Sequence, residues 1–194
     1  MKNKTLIITA VLILIIIGAG LAYHFLAPNL EMDSLETQTP TQSATEPSGE
    51  SAAPSGLKTD FTVYDSQGSQ VKLSDYVGKP VILNFWSSRC GPCKMEMPDF
   101  QKAYEKLGEE VHFLMVNVTD GYWDTESTAK DFIEKSGYTF PVFLDLDNSA
   151  AGAYGIYSLP STFFFQTDGT LAAKATGAIT PETLQKGIDM IYAP

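Results

Sequence analysis

One junction constrains this chain more than any other. Val81–Trp86 is an apolar run broken only by Asn84, which suits a strand buried on both faces. It runs through Ser87-Ser88-Arg89 into Cys90-Gly91-Pro92-Cys93, where Pro92 can occupy the first turn of a helix. From about Pro92 to Leu107, Phe100, Tyr104 and Leu107 recur at helical spacing, and Pro98 inside that segment predicts a kink. A doubly buried strand handing over to a helix calls for helices layered on a sheet.

The rest of the chain fits that requirement. Phe61–Asp65 and Val71–Leu73 alternate apolar and polar residues around Ser66-Gln67-Gly68, a hairpin signal. Val111–Val118 is a second β-branched apolar run. Asp124 or Thr125 can cap a helix carrying Ala129, Phe132 and Ile133 and closed by Gly137. Pro141–Leu144 reads as a short strand, and Asn148–Tyr154 as a helical turn or two. Thr162–Gln166 and Leu171–Thr176 flank the turn Asp168-Gly169. Thr180-Pro181-Glu182 opens a last helix to about Tyr192, with a Thr cap and an acid at the positive end. The expectation is an α/β fold: a mixed central sheet with helices on both faces and an N-terminal β-hairpin extension.

Ahead of this domain, residues 57–194, the composition changes. Lys2 and Lys4 lie in the short segment 1–5, and residues 6–27 are an apolar stretch. A helix of about 20 such residues crosses the hydrocarbon core. The lysines on its short side predict a single-pass anchor with a cytoplasmic N-terminus and the domain on the extracytoplasmic side of the cell membrane. A cleaved signal peptide ending at Gly20-Leu21-Ala22 is the alternative. Residues 28–56 carry five acidic and no basic residues among many Ser, Thr, Pro and Gln. They read as a disordered tether spanning about 30 Å as a flexible coil. The domain has 11 Lys and Arg against 18 Asp and Glu, a net charge of −7, which argues against nucleic-acid binding. A monomer is expected.

The two cysteines are the only ones in the chain. A thiolate at Cys90 would face the unpaired amides and positive dipole end of the helix, so its pKa should fall below the free value of about 8.5. It could then attack a substrate disulfide, and Cys93, one turn on, could resolve the mixed disulfide. Gly91 and Pro92 allow the tight turn. A zinc site would need a second pair of ligands. The only histidines are His24, in or beside the apolar N-terminal stretch, and His112, beside an apolar strand, so no metal is expected. A structural disulfide would close a very short loop and stabilise little. No cofactor is expected beyond a redox-active Cys90–Cys93 disulfide.

Phe85-Trp86-Ser87-Ser88-Arg89-Cys90-Gly91-Pro92-Cys93-Lys94 resembles the thioredoxin active-site segment. With Glu96-Met97-Pro98, Phe140-Pro141-Val142 and Ser158-Leu159-Pro160-Ser161-Thr162, the domain resembles the TlpA/ResA branch of membrane-tethered thioredoxin-like proteins. The resemblance implies that Cys90 is the surface nucleophile, Cys93 the buried resolving thiol, and Pro160 a cis-proline facing the disulfide. Leu159 would offer its backbone to an extended substrate segment. Leu159-Pro160 could otherwise form a simple turn before an edge strand. Cytoplasmic thioredoxins usually have a buried Asp where this chain has Asn84, which cannot titrate. Glu96, three residues after Cys93 on the same helical face, would take over its proton chemistry, unless it is an ordinary solvated glutamate. Trp86 would cover the disulfide at the substrate site, or be core.

These implications point to a reductase of disulfides in exported proteins, with apocytochrome c as a client suggested by the family. A membrane electron donor, a DsbD- or CcdA-like thiol carrier, would be needed. A disulfide-forming oxidase and a redox-idle tethered binding module are the alternatives. A peroxiredoxin-type Thr-x-x-Cys is absent, Ser87 standing three before Cys90.

Overall fold

The computed structural model describes residues 35–37 and 56–193. The expected cytoplasmic segment 1–5, the span 6–27 and most of the tether lie outside these residues. Among the described residues no helix is long and apolar enough to cross a membrane.

The described strands join in one sheet. In chain order they are β1 (Glu36–Thr37), β2 (Thr62–Tyr64), β3 (Gln70–Lys72), β4 (Val81–Trp86), β5 (His112–Asn117), β6 (Val142–Leu144), β7 (Ser161–Phe165) and β8 (Leu171–Thr176). The helices are α1 (Gly91–Leu107), α2 (Glu126–Ser136), α3 (Ser149–Ala153) and α4 (Pro181–Ile191), with a short 3₁₀ turn at Leu73–Tyr76. The sheet order is β1-β8-β7-β4-β5-β6-β2-β3. The pairs β4·β5 and β5·β6 are parallel, and the other neighbours antiparallel.

Strand β4 is central, and all six of its residues are buried. Its side chains alternate between two cores, as the pleat requires. Ile82 and Trp86 join the cluster that holds Met97, Phe100, Ala129, Leu184 and Ile188 of α1, α2 and α4. Val81, Leu83 and Phe85 join Phe61, Leu73, Ala150 and Ala151 on the opposite face. The chain order explains the division. The crossovers β4-α1-β5 and β5-α2-β6 step in one direction, so right-handed connections put α1 and α2 on one face. The return from β6 to β7 puts α3 on the other. The sequence reading of a mixed sheet with helices on both faces, fronted by the β2–β3 hairpin, describes this architecture.

Residues 28–56 read as wholly disordered, yet Glu36 and Thr37 pair with Lys174 and Ala173 of β8. Strand β8 would otherwise present an edge of open N–H and C=O groups. Leu35 packs against the α1-side core, and Glu36 meets Lys174 at 2.9 Å. One apolar residue and two backbone pairings order this short piece of an otherwise polar segment.

Candidate active site

Cys90 is the N-cap of α1, and its Sγ accepts the Cys93 N–H at 3.1 Å. The two sulfurs are joined, 2.05 Å apart, so this is the oxidised form. The pair is asymmetric in access. Cys93 has no exposed surface, because the apolar face of α1 turns it into the core. Cys90 is half-buried, and Gly91 and Pro92 are exposed beside it. Pro92 sits in the first turn, where its missing N–H costs nothing.

The loop before β7 borders this end of the sheet. Ser161 pairs with Phe85, which places Pro160 at the carboxyl end of β4, where the chain departs for Cys90. The Leu159–Pro160 peptide is cis. Pro160 is buried and Leu159 half-buried. Among the described residues neither the N–H nor the carbonyl of Leu159 has a hydrogen-bond partner. Tyr157 on the same loop is 99 % exposed.

Glu96 is not the solvated helix residue that its position on α1 also allowed. It is 3 % exposed. Asn84 Nδ2 donates to its Oε1 at 2.9 Å, and Ile179 N donates to its Oε2 at 3.0 Å. Burial raises its pKa to about 7, against the lowering effect of the Ile179 and Asn84 hydrogen bonds. Asn84 also donates to Thr162 Oγ1 at 3.0 Å, so Asn84 of β4 bridges this carboxyl group of α1 to β7. A buried acid that changes charge near neutrality therefore lies one turn from Cys93.

Trp86 was expected either to cover the disulfide at the substrate site or to be core, and the structure shows the second. Its side chain is wholly buried and packs on Phe132 of α2 with ring centroids 5.7 Å apart. As the last residue of a strand covered on both faces, it supports the site from within and offers no surface to a substrate.

A second buried carboxylate had no place in the sequence reading beyond a candidate helix cap. Asp124 is 0 % exposed. It accepts from Ser88 N at 2.5 Å, Ser88 Oγ at 2.7 Å, Asn117 Nδ2 at 2.9 Å and Thr128 Oγ1 at 2.5 Å. Desolvation pushes its pKa up, but these bonds outweigh it and hold the group below the usual carboxylate range. Asp124 thereby ties the segment just before Cys90 to β5 and α2. Its own loop is ordered by Asp120 Oδ1, which accepts from the N–H groups of Tyr122, Trp123 and Asp124. The cap of α2 is Thr125. No local pattern could have revealed Asp124, since Ser88 lies 36 residues away.

Comparison with known proteins agrees with this arrangement. Residues 55–174 match the AhpC/TSA family. The thiol-disulfide oxidoreductase ResA of Geobacillus thermodenitrificans is 36 % identical over 135 residues, covering 68 % of this chain and 74 % of the relative. ResA of Bacillus subtilis is 33 % identical over 132 residues, covering 68 % and 72 %. Among solved structures, StoA from Bacillus subtilis superposes with a TM-score of 0.59 at 28 % identity, covering 68 % of this chain and 98 % of StoA. The pneumococcal exposed lipoprotein thioredoxin Etrx1 from Streptococcus pneumoniae gives 0.59 at 26 %, covering 67 % and 98 %. With a disulfide-bonded cysteine pair at the carboxyl end of a central strand and relatives of this kind, the chain belongs to the AhpC/TSA family as a ResA-like thiol–disulfide oxidoreductase of the thioredoxin superfamily.

Proposed function

We propose that this protein is an extracytoplasmic reductase, held at the cell membrane by residues 6–27, that reduces disulfides in exported proteins through Cys90 and Cys93. The unequal access of the two sulfurs carries the assignment of roles: Cys90 is half-buried and Cys93 has no exposed surface. In the reduced protein the Cys93 N–H and the start of α1 favour a thiolate at Cys90. That thiolate attacks one sulfur of a client disulfide, forms a mixed disulfide and expels the other sulfur as a thiolate, which takes a proton. Cys93 then loses its proton, with Glu96 as acceptor, and attacks Cys90 Sγ. The second client thiol departs, and two electrons have moved from the protein dithiol to the client.

The unpaired Leu159 backbone supports a substrate segment bound in extended form beside Pro160, by strand-type hydrogen bonds. Gly91 and Pro92 supply the exposed surface against which it would lie. The oxidised product is inert until reduced again, so the cycle requires a membrane thiol donor of the DsbD or CcdA kind. The haem-site cysteines of apocytochrome c are the clients that the family likeness favours.

Trapping tests the roles. The Cys93→Ser protein should accumulate mixed disulfides with clients through Cys90, and Cys90→Ser should abolish exchange. Faster alkylation of Cys93 than of Cys90 in the reduced wild type would reverse the assignment.

A further inference from the structure

A cleft of about 490 Å³ opens against the residues on either side of the Cys90–Cys93 segment. Ser88 and Arg89, the two residues before the cysteine, form one side, and Lys94, the residue after Cys93, is part of its lining. Helix α2 contributes Thr128, Asp131, Phe132 and Lys135. The domain carries a net charge of −7 over residues 57–194, yet this cleft presents three cations.

The acids near it are already engaged. Asp131 pairs with Lys135 at 3.2 Å. Asp124, buried beneath Ser88 and Thr128, is held ionised by four hydrogen bonds from neutral donors, so it offsets one of the three cations and Asp131 a second, which leaves a surplus of one positive charge. Lys94 lies 5.3 Å from the Phe132 ring centroid and makes no ion pair among the described residues. The Arg89 guanidinium likewise has no acidic partner among them. In a domain with 18 acids, two unpaired cations flanking one cysteine pair leave a small local positive surplus, with the Phe132 ring in the same lining.

We propose that this cleft is a docking site for an acidic segment of the protein partner whose cysteine reacts with Cys90, with Arg89 and Lys94 pairing its carboxylates. The inference rests on Cys90 being the attacking thiol and adds a selectivity to it. Charge complementarity fixes the kind of occupant: a basic segment would meet like charges at Arg89 and Lys94, and a neutral one would leave them unpaired. Steering by such a field acts on association and weakens with salt.

The test uses the reduced full-length protein in neutral detergent and three substrates. Two are disulfide peptides with the same cysteine core, one flanked by Asp and Glu and one by Lys. The third is the uncharged hydroxyethyl disulfide. The wild type should reduce the acidic peptide about tenfold faster than the basic one at low salt, and the ratio should fall toward one at about 1 M salt. The double variant Arg89→Glu, Lys94→Glu should invert the ratio. Taking a ratio within each protein cancels any change in Cys90 reactivity. A wild-type ratio near one, or a ratio the double variant leaves unchanged, would overturn the docking site while exchange itself stands. Failure of the wild type to reduce even hydroxyethyl disulfide would instead overturn the exchange reading, and this inference with it.

Discussion

Glu96 is where burial and hydrogen bonding oppose each other most directly. Its folded pKa of about 7 lies above the ordinary value of 4.5, so the folded protein prefers the protonated form. Stability from this group is fully present below about pH 4.5 and is lost as pH rises through 7. The shift corresponds to about 3 kcal/mol between those limits. Glu96→Gln cannot titrate, so its stability relative to wild type should improve by about 3 kcal/mol from pH 4 to pH 8. Chemical denaturation of the two oxidised proteins across that range measures this, and parallel curves would refute the buried acid. In the reduced proteins the same variant should alter the thiolate absorbance titration and slow exchange near neutrality. Cys90, Cys93 and the Leu159-Pro160 pair were legible in the sequence because each belongs to a short contiguous motif. Glu96 was legible only as a choice between a proton carrier and a surface acid. The Asn84 and Ile179 contacts that decide its burial come from elsewhere in the chain. Trp86 was left open between the substrate site and the core because strand alternation gives the face of a residue and not its depth beneath neighbouring helices.

The elements around the site are fastened by a few contacts whose loss should be measurable. Removing the Asp124 carboxylate leaves the buried Ser88 N–H and Asn117 amide without their acceptor. Asp124→Ala should therefore destabilise the protein by about 3 kcal/mol. It should also loosen Ser87–Arg89 and lower the rate of exchange. Denaturant unfolding and hydrogen exchange at Ser88 test this, and an unchanged midpoint would count against the tie between the loops. On the other side of α1, α4 lies close over β7. A Cβ at Gly187 would collide with the ring of Phe164, which is itself wholly buried. Gly187→Ala should cost about 1–3 kcal/mol by overpacking, read as a lowered Tm. The caps of these helices were legible: Thr180 with Pro181, and Thr125 with Gly137, are local signals that the structure uses. Strand β1 was not, because two residues carry no periodicity and their pairing depends on the open edge of β8.

At the scale of the whole molecule, the α/β architecture followed from the alternation of apolar runs and helical spacing, and the resemblance narrowed it to the thioredoxin fold. The position of the site followed as well, since a connection leaving a central parallel strand opens a crevice at that strand's carboxyl end. Net charge and composition carried no information on the client. If residues 6–27 anchor the protein as proposed, protease added to intact cells should degrade the domain, and mature protein beginning near Tyr23 would show a cleaved signal peptide instead. Whether the dithiol delivers electrons turns on one quantity: the reduction potential of the Cys90–Cys93 pair in the full-length protein, equilibrated against glutathione or a thioredoxin reference. A reductase should lie well below the oxidant DsbA, at about −120 mV; a value near that oxidising end would make the protein a donor of disulfides instead.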